Sequence, residues 1–192
     1  MPPSTARLHA AGPTALRTQL DSNAIVEAAG AFAVERWAAV SGNRRPSRAS
    51  LALRGAGRTW RASSEGNGGV DALLHAVDVA LQPFLGDGVE LETYNVHAVG
   101  TGHDAAGSVG LTIRARSADE HAPGYAGRGV HANVLEASVI AYVDAINRLL
   151  AHSGVDIQAV AAAARPPRQR AAALAQETRQ QRLEPLMGLY NP

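Results

Sequence analysis

"SSEGNGGVDALLHAVD", residues 63–78, places three glycines and an asparagine directly in front of a helical stripe. Val70, Leu73, Leu74, Val77, Leu81 and Phe84 follow the i, i+3, i+4, i+7 spacing of one apolar helix face, with Pro83 and Gly86 helping to end it. Working outward, "FAVERWAAV" (32–40), "SRASLALR" (47–54) and "GRTWRASS" (57–64) alternate apolar with polar or small residues, as half-buried strands do. Gly42 with Asn43, and Gly55 with Gly57, supply turns between them. On the other side, "VELETYNVHAV" (89–99), "SVGLTIRARS" (108–117) and a weaker "GYAGRGV" (124–130) read as three more strands. A second helix follows, with stripe Leu135, Val139, Tyr142, Val143, Ile146 and Leu150, and with Asn133 and Glu136 placed as a capping box.

The order βββα thus occurs twice, and the halves match in detail. "VERWAAVSG" parallels "LETYNVHAVGTG", and "GNGGVDALLHAVDVAL" parallels "GRGVHANVLEASVIAYVDAINRL". The expected fold is α+β: duplicated βββα units related by pseudo-twofold symmetry, two small sheets with packed helices, and helical tails. The first unit is expected over 31–86 and the second over 87–152. Residues 1–12 are expected to be disordered, 13–30 to form a linker helix (Pro13, Leu16, Leu20, Ile25), and 153–192 to form a helical tail broken at Pro166 and Pro167.

Bulk properties exclude several classes. At 192 residues the chain is too short for an eight-stranded α/β barrel, which takes about 250. Aromatic residues are 4% of the chain, so alanine and valine must supply much of the packing. The net charge is +1 with no long basic run, which sets nucleic-acid binding aside, although all 18 basic residues are Arg. The absence of cysteine removes disulfides, thiolate metal sites and a cysteine nucleophile. Neither a signal-peptide pattern nor an apolar stretch of membrane-spanning length occurs, so a soluble, cytoplasmic protein without membrane partners is expected.

No catalytic constellation emerges. The seven histidines form no i, i+2 or i, i+4 pair; His97 and His103 could approach across a hairpin, but no metal set is recognisable and no cofactor is expected. There is no G-x-S-x-G elbow, and Ser41 and Ser108 read as turn residues. The helix entrance itself offers different chemistry. Its first turn leaves about four N–H groups unpaired and carries roughly half a positive charge. Gly66, Gly68 and Gly69 would let a carboxylate approach that backbone, and Asp71 could face an ammonium group. A ligand with both groups is an α-amino acid; the competing reading is a simple helix cap with a solvated Asp71.

"EGNGGVDALLHAVD", "LETYNVHAVGTGHDAAGSV" and "GRGVHANVLEASVIAYVDAINRL" together resemble the C-terminal regulatory, leucine-binding and dimerisation domain of 2-isopropylmalate synthase, in family order over about 32–151. The resemblance implies a pseudo-twofold pair of βββα units that forms a homodimer and binds an end-product amino acid near the subunit interface. Carried over by position, the leucine pocket would be Gly66, Gly68, Val70 and Asp71 at the first helix entrance, Leu91, Tyr94 and Ala98 on the next strand, and Ala105 and Gly107 in the "GHDAAG" turn. The chain departs from the family in having Gly69 where proline often follows "GNG", and in lacking the catalytic barrel and its His-x-His metal ligands. The resemblance therefore implies no enzyme but a stand-alone feedback regulator of leucine biosynthesis, binding leucine or a related branched-chain amino acid and acting on a separate synthase chain. The alternative is a structural dimerisation module with a decayed pocket.

Overall fold

The computed structural model of the chain describes residues 31–100, 102, 105–119 and 122–164. The expected N-terminal segment and linker helix, and the tail past 164, lie outside the described residues. Six strands and three helices follow in the order β1 (Ala33–Val40), β2 (Ser47–Gly55), β3 (Arg58–Gly66), α1 (Gly69–Leu85), β4 (Val89–Val99), β5 (Ala106–Ala115), β6 (Tyr125–His131), α2 (Val134–Ser153) and α3 (Ile157–Ala163). The strands form two antiparallel three-stranded sheets, β1-β2-β3 and β4-β5-β6. The fold is the expected duplicated βββα arrangement. Helix α1 lies on β2 and β3, α2 lies on β5 and β6, and the two helices pack against each other.

The duplication extends to an irregularity. The register of β1 on β2 slips between Val34 and Arg36, and that of β4 on β5 slips between Leu91 and Thr93. Glu35 and Glu92 are thus the extra residues of matching β-bulges, in the matching sequences "VERW" and "LETY". Each bulge changes which face the following residues occupy. Leu91, opposite Ile113, and Tyr94, opposite Leu111, both end on the helix side although three positions separate them.

The helices run side by side with their starts together. A Cβ on Gly69 would lie 3.3 Å from Leu135 Cδ2, the Tyr142 hydroxyl donates to Asp78 Oδ1 at 2.7 Å midway, and Phe32 meets both Asn147 of α2 and Phe84 of α1 at the far end. In the first unit Phe32, Trp60 and Phe84 stack edge to face, with centroids 4.8–6.2 Å apart. In the second, alanines supply the contact: a Cβ on Gly127 would strike the Ala141 carbonyl, and one on Gly129 the Ala137 carbonyl, so bare backbone in β6 lets α2 lie directly on the strand.

Several local expectations change. Pro83 lies inside α1, which runs on to Leu85 and ends at Gly86 with φ 56°. Ser108 is a strand residue opposite His97 and Val130 rather than a turn residue. Asn133 caps α2 by accepting from Leu135 N, but no reciprocal bond from Glu136 completes a box. The Asn133 N–H donates instead to His131 Nδ1 at 3.0 Å, which makes that nitrogen an acceptor, and Glu136 Oε2 stands 3.5 Å from it. Between β2 and β3 it is Ala56 and Gly57 that take positive φ, 50° and 72°. Gly55 is small for another reason: a side chain there would strike the Phe32 ring.

Candidate ligand site

Strands β3 and β6 run directly into α1 and α2, so the starts of both helices share one end of the molecule with the ends of β1 and β4 and the starts of β2 and β5. All nine residues expected to line a pocket lie at this end or along the strand leading to it. They fall into two groups on either side of the α2 entrance. Gly69, adjoining the first group, faces Leu135, and Gly107 of the second group lies 3.7 Å from Val134 when given a Cβ. Gly107 is also the register partner of Ala98.

In the first group, the glycines have separate roles. A Cβ on Gly66 would come within 2.5 Å of Ala72 N and 2.6 Å of Asp71 Oδ2, so this residue is small because the first turn of α1 presses on it. Gly68 is the N-cap, with extended backbone (φ −151°), no side-chain cap bond, and nothing within 4 Å of an added Cβ. The α1 entrance therefore opens outward with its backbone uncovered, whereas the α2 entrance is closed by Asn133. Asp71 is not simply solvated: Oδ2 accepts from Asn67 N at 2.8 Å, and Oδ1 lies 3.8 Å from His75 Nε2. Val70 is half-buried beside it.

In the second group, the bulge at Glu92 puts Leu91, Tyr94 and Ala98 in one row on the helix side of β4. The Tyr94 hydroxyl bonds Ser138 Oγ at 2.7 Å, and Ser138 in turn donates to Val134 O. Sequence reasoning does not single out Val134 and Ser138, and reads Leu135 only as part of the helix stripe; these three join the two groups, at the helix start that the capping Asn133 marks. Ala105 is half-buried, its N–H donating to Gly102 O at 3.4 Å, while His103 and Asp104 lie outside the described residues.

Helix α2 stops short of covering this row. In β4 only Val89 is buried, and Leu91, Val96 and Val99 stand 40–51% exposed. The corresponding strand β1 is contacted by both helices, and its Val34, Trp37 and Ala39 pack on the core. Five of the seven exposed large apolar side chains among the described residues, Leu91, Val96, Val99, Val130 and Val134, belong to β4 or border the α2 entrance. Open concavities of about 480 and 330 Å³ lie on the outer sheet faces rather than at this end. The described residues contain no cluster of three or more metal-ligating side chains.

The family described as the LeuA allosteric (dimerisation) domain matches residues 15–150. The chain belongs to that family. Among curated relatives, 2-isopropylmalate synthase of Xanthomonas campestris pv. campestris (strain B100) is 40% identical over 88 residues, 46% of this chain and 15% of the relative. The 2-isopropylmalate synthase of Stenotrophomonas maltophilia (strain K279a) is 36% identical over 107 residues, 53% of this chain and 19% of the relative. This LeuA-type chain thus spans less than a fifth of the synthases it matches, and the matched family is the regulatory rather than the catalytic part. No helix among its described residues is long and apolar enough to cross a membrane.

Proposed function

We propose that this LeuA-type chain is an amino-acid-responsive regulatory module, non-catalytic itself, that controls a separate 2-isopropylmalate synthase chain. Its ligand is a branched-chain α-amino acid, leucine first. The observation that carries this reading is the uncapped α1 entrance at Gly68, facing outward beside an apolar row on β4. The ligand carboxylate sits at the Gly66–Gly69 backbone on the N–H groups beside that of Asn67, which Asp71 already holds, where the helix dipole favours negative charge. Asp71 Oδ1 takes the ammonium group. The side chain lies among Val70, Ala98, Ala105 and Gly107, whose small members leave room for a branch, with Tyr94 beside them; Leu91, six ladder positions or about 20 Å from Ala98, stands outside its reach. One chain leaves that row open to water, so a second copy covering β4 encloses the ligand, and the homodimer is the binding-competent form.

A thermal-shift screen with the twenty amino acids tests the reading. Leucine at a hundred times its Kd is expected to add about 2.7 kcal/mol of stability. Gly68→Val, whose side chain enters free space on permissive backbone, is expected to keep the fold and abolish the shift. Ala98→Leu is expected to exclude leucine from its place. A shift that survives both substitutions puts the site elsewhere, and no shift with any amino acid favours a dimerisation module without a working pocket. Light scattering that gives the mass of one chain at micromolar concentration would remove the dimer.

A further inference from the structure

The outer face of the first sheet, turned away from the helices, carries a feature that the leucine site does not use. In register across the three strands stand Arg36, Ala52 and Arg61, and in the next row Ala38, Ser50 and Ser63. Ala52 is only 1% exposed although it lies outside the core, so the flanking residues fold over it. Arg36 and Arg61, two strand spacings or about 10 Å apart, wall an open trough of about 480 Å³ with Ser50 and Ser63 on its floor. Arg54 lies two residues along β2 on the same face.

Five guanidinium groups elsewhere on the described residues are engaged, that of Arg116 by donating to Val89 O. Arg48 pairs with Glu65, Arg148 with Asp144, and Arg114 with Glu92; Arg58 stacks 3.7 Å from the Trp60 ring centroid and donates to Ala164 O. Arg36, Arg54 and Arg61 have neither an ion-pair nor a hydrogen-bond partner among the described residues. The duplication does not account for Arg36 and Arg61, whose counterparts are Thr93 and Ala126; the counterpart of Arg54 is Arg114, paired with Glu92, and Arg128 is the arginine lining the matching concavity, beside a central Gly110. Like charges gathered around a concavity, with hydroxyl donors between them, are complementary to a group bearing several oxygens and negative charge.

We propose that this trough binds a small oxyanion, a phosphate ester or a polycarboxylate, held between Arg36 and Arg61 with the Ser50 and Ser63 hydroxyls beneath it. Calorimetric titration of the full chain at low ionic strength with inorganic phosphate, pyrophosphate and citrate tests this. Saturable binding of at least one probe is expected, weakened by salt and at least tenfold weaker in Arg36→Ala and in Arg61→Ala. Arg48→Ala, which removes an already paired cation, is expected to change it less than threefold. Preference for pyrophosphate over citrate identifies the phosphate source, and the reverse preference the polycarboxylate. Both arginines are exposed, so circular dichroism of the variants is expected to match the parent. Absence of saturable binding by all three probes, or binding that persists in the Arg36→Ala/Arg61→Ala double variant, overturns the proposal. Leucine response is expected to be unchanged in these variants, so either site can fail without the other.

Discussion

The two βββα units share strand order, bulge position and helix placement, yet are held together by different means. The first is clamped by rings: Phe32, Trp60 and Phe84 meet at the end of the unit, and both helices reach β1. The second is clamped by closeness: glycines at 127 and 129 replace the Ala62 and Ser64 of the first, α2 settles onto the β6 backbone, and β4 is left bare. One chain topology therefore accepts either bulk or its absence as its seal. The unit sealed by absence is the one with apolar surface to spare, which is where a ligand and a second copy have something to bury.

The sharpest way to break this comparison is to put bulk into the glycine seam. Gly127→Val with Gly129→Val drives side chains into helix carbonyls that cannot rotate away, and a loss of about 4 kcal/mol or more is expected. Little folded protein should survive in urea titrations, while Ala62→Val with Ser64→Val should lose much less. Removing the aromatic clamp comes next: Trp60→Ala is expected to cost about 3–5 kcal/mol by calorimetric or urea unfolding.

The third test addresses the link between the units. Burial raises the Asp78 pKa above the ordinary 3.8, and the Tyr142 hydrogen bond, His75 and Arg116 oppose that rise in part. Burial also raises the Tyr142 pKa, with Asp78 adding to the effect, so the phenol stays protonated as the donor. Asp78→Ala leaves that hydroxyl without its acceptor and is expected to cost about 1–3 kcal/mol. Asp78→Asn retains an acceptor without the charge. Because the folded-state pKa lies above the unfolded one, the aspartate contributes most stability below about 3.8 and loses it as pH rises through the folded value. The stability of Asp78→Asn relative to the parent is therefore expected to rise from pH 4 upward; a difference independent of pH between 4 and 8 would refute this.

The smallest expected effect separates the two helix entrances. Asn133→Ala removes a side-chain cap and should cost about 1 kcal/mol, whereas Gly68→Ser, which supplies a side-chain cap where there is none, should stabilise by about a few tenths of a kcal/mol. Equal losses at both positions in thermal unfolding would erase the distinction on which the open entrance rests.

Much of this architecture was legible because apolar residues advertise their period. The six strands and two principal helices follow from alternation and from the Val70 and Leu135 stripes. The glycine seam was not legible that way: in "GYAGRGV" the helix-facing positions of β6 carry no side chain, so the segment looked weak for the very reason that it packs closely. For the candidate site, the repeat matched "VERW" with "LETY" but did not reveal that both contain a bulge, and strict alternation would have put Leu91 and Tyr94 on opposite faces. The role of Gly66 in helix packing was likewise hidden, since a glycine reads the same whether a ligand or a neighbouring turn requires it. The arginine trough did leave a trace in "RASLALR" and "RTWRASS", as cations out of phase with the buried residues.

The parallel course of α1 and α2 has a consequence for signalling. The backbone leaves the described fold at Ala31, next to Phe32, and at Ala164, which Arg58 holds, and both points lie at the opposite end from the helix entrances. A 17-residue helix spans about 25 Å. A polypeptide attached at those points is linked to Gly68 through two helices lying abreast, joined midway by Asp78 and Tyr142, and through the strands beneath them, β3 running from Arg58 to Gly66. Spreading or twisting the helices at one end about that rivet would displace their other ends, so the fold can turn a shift of an ångström at its tip into a change of angle at its attachment points.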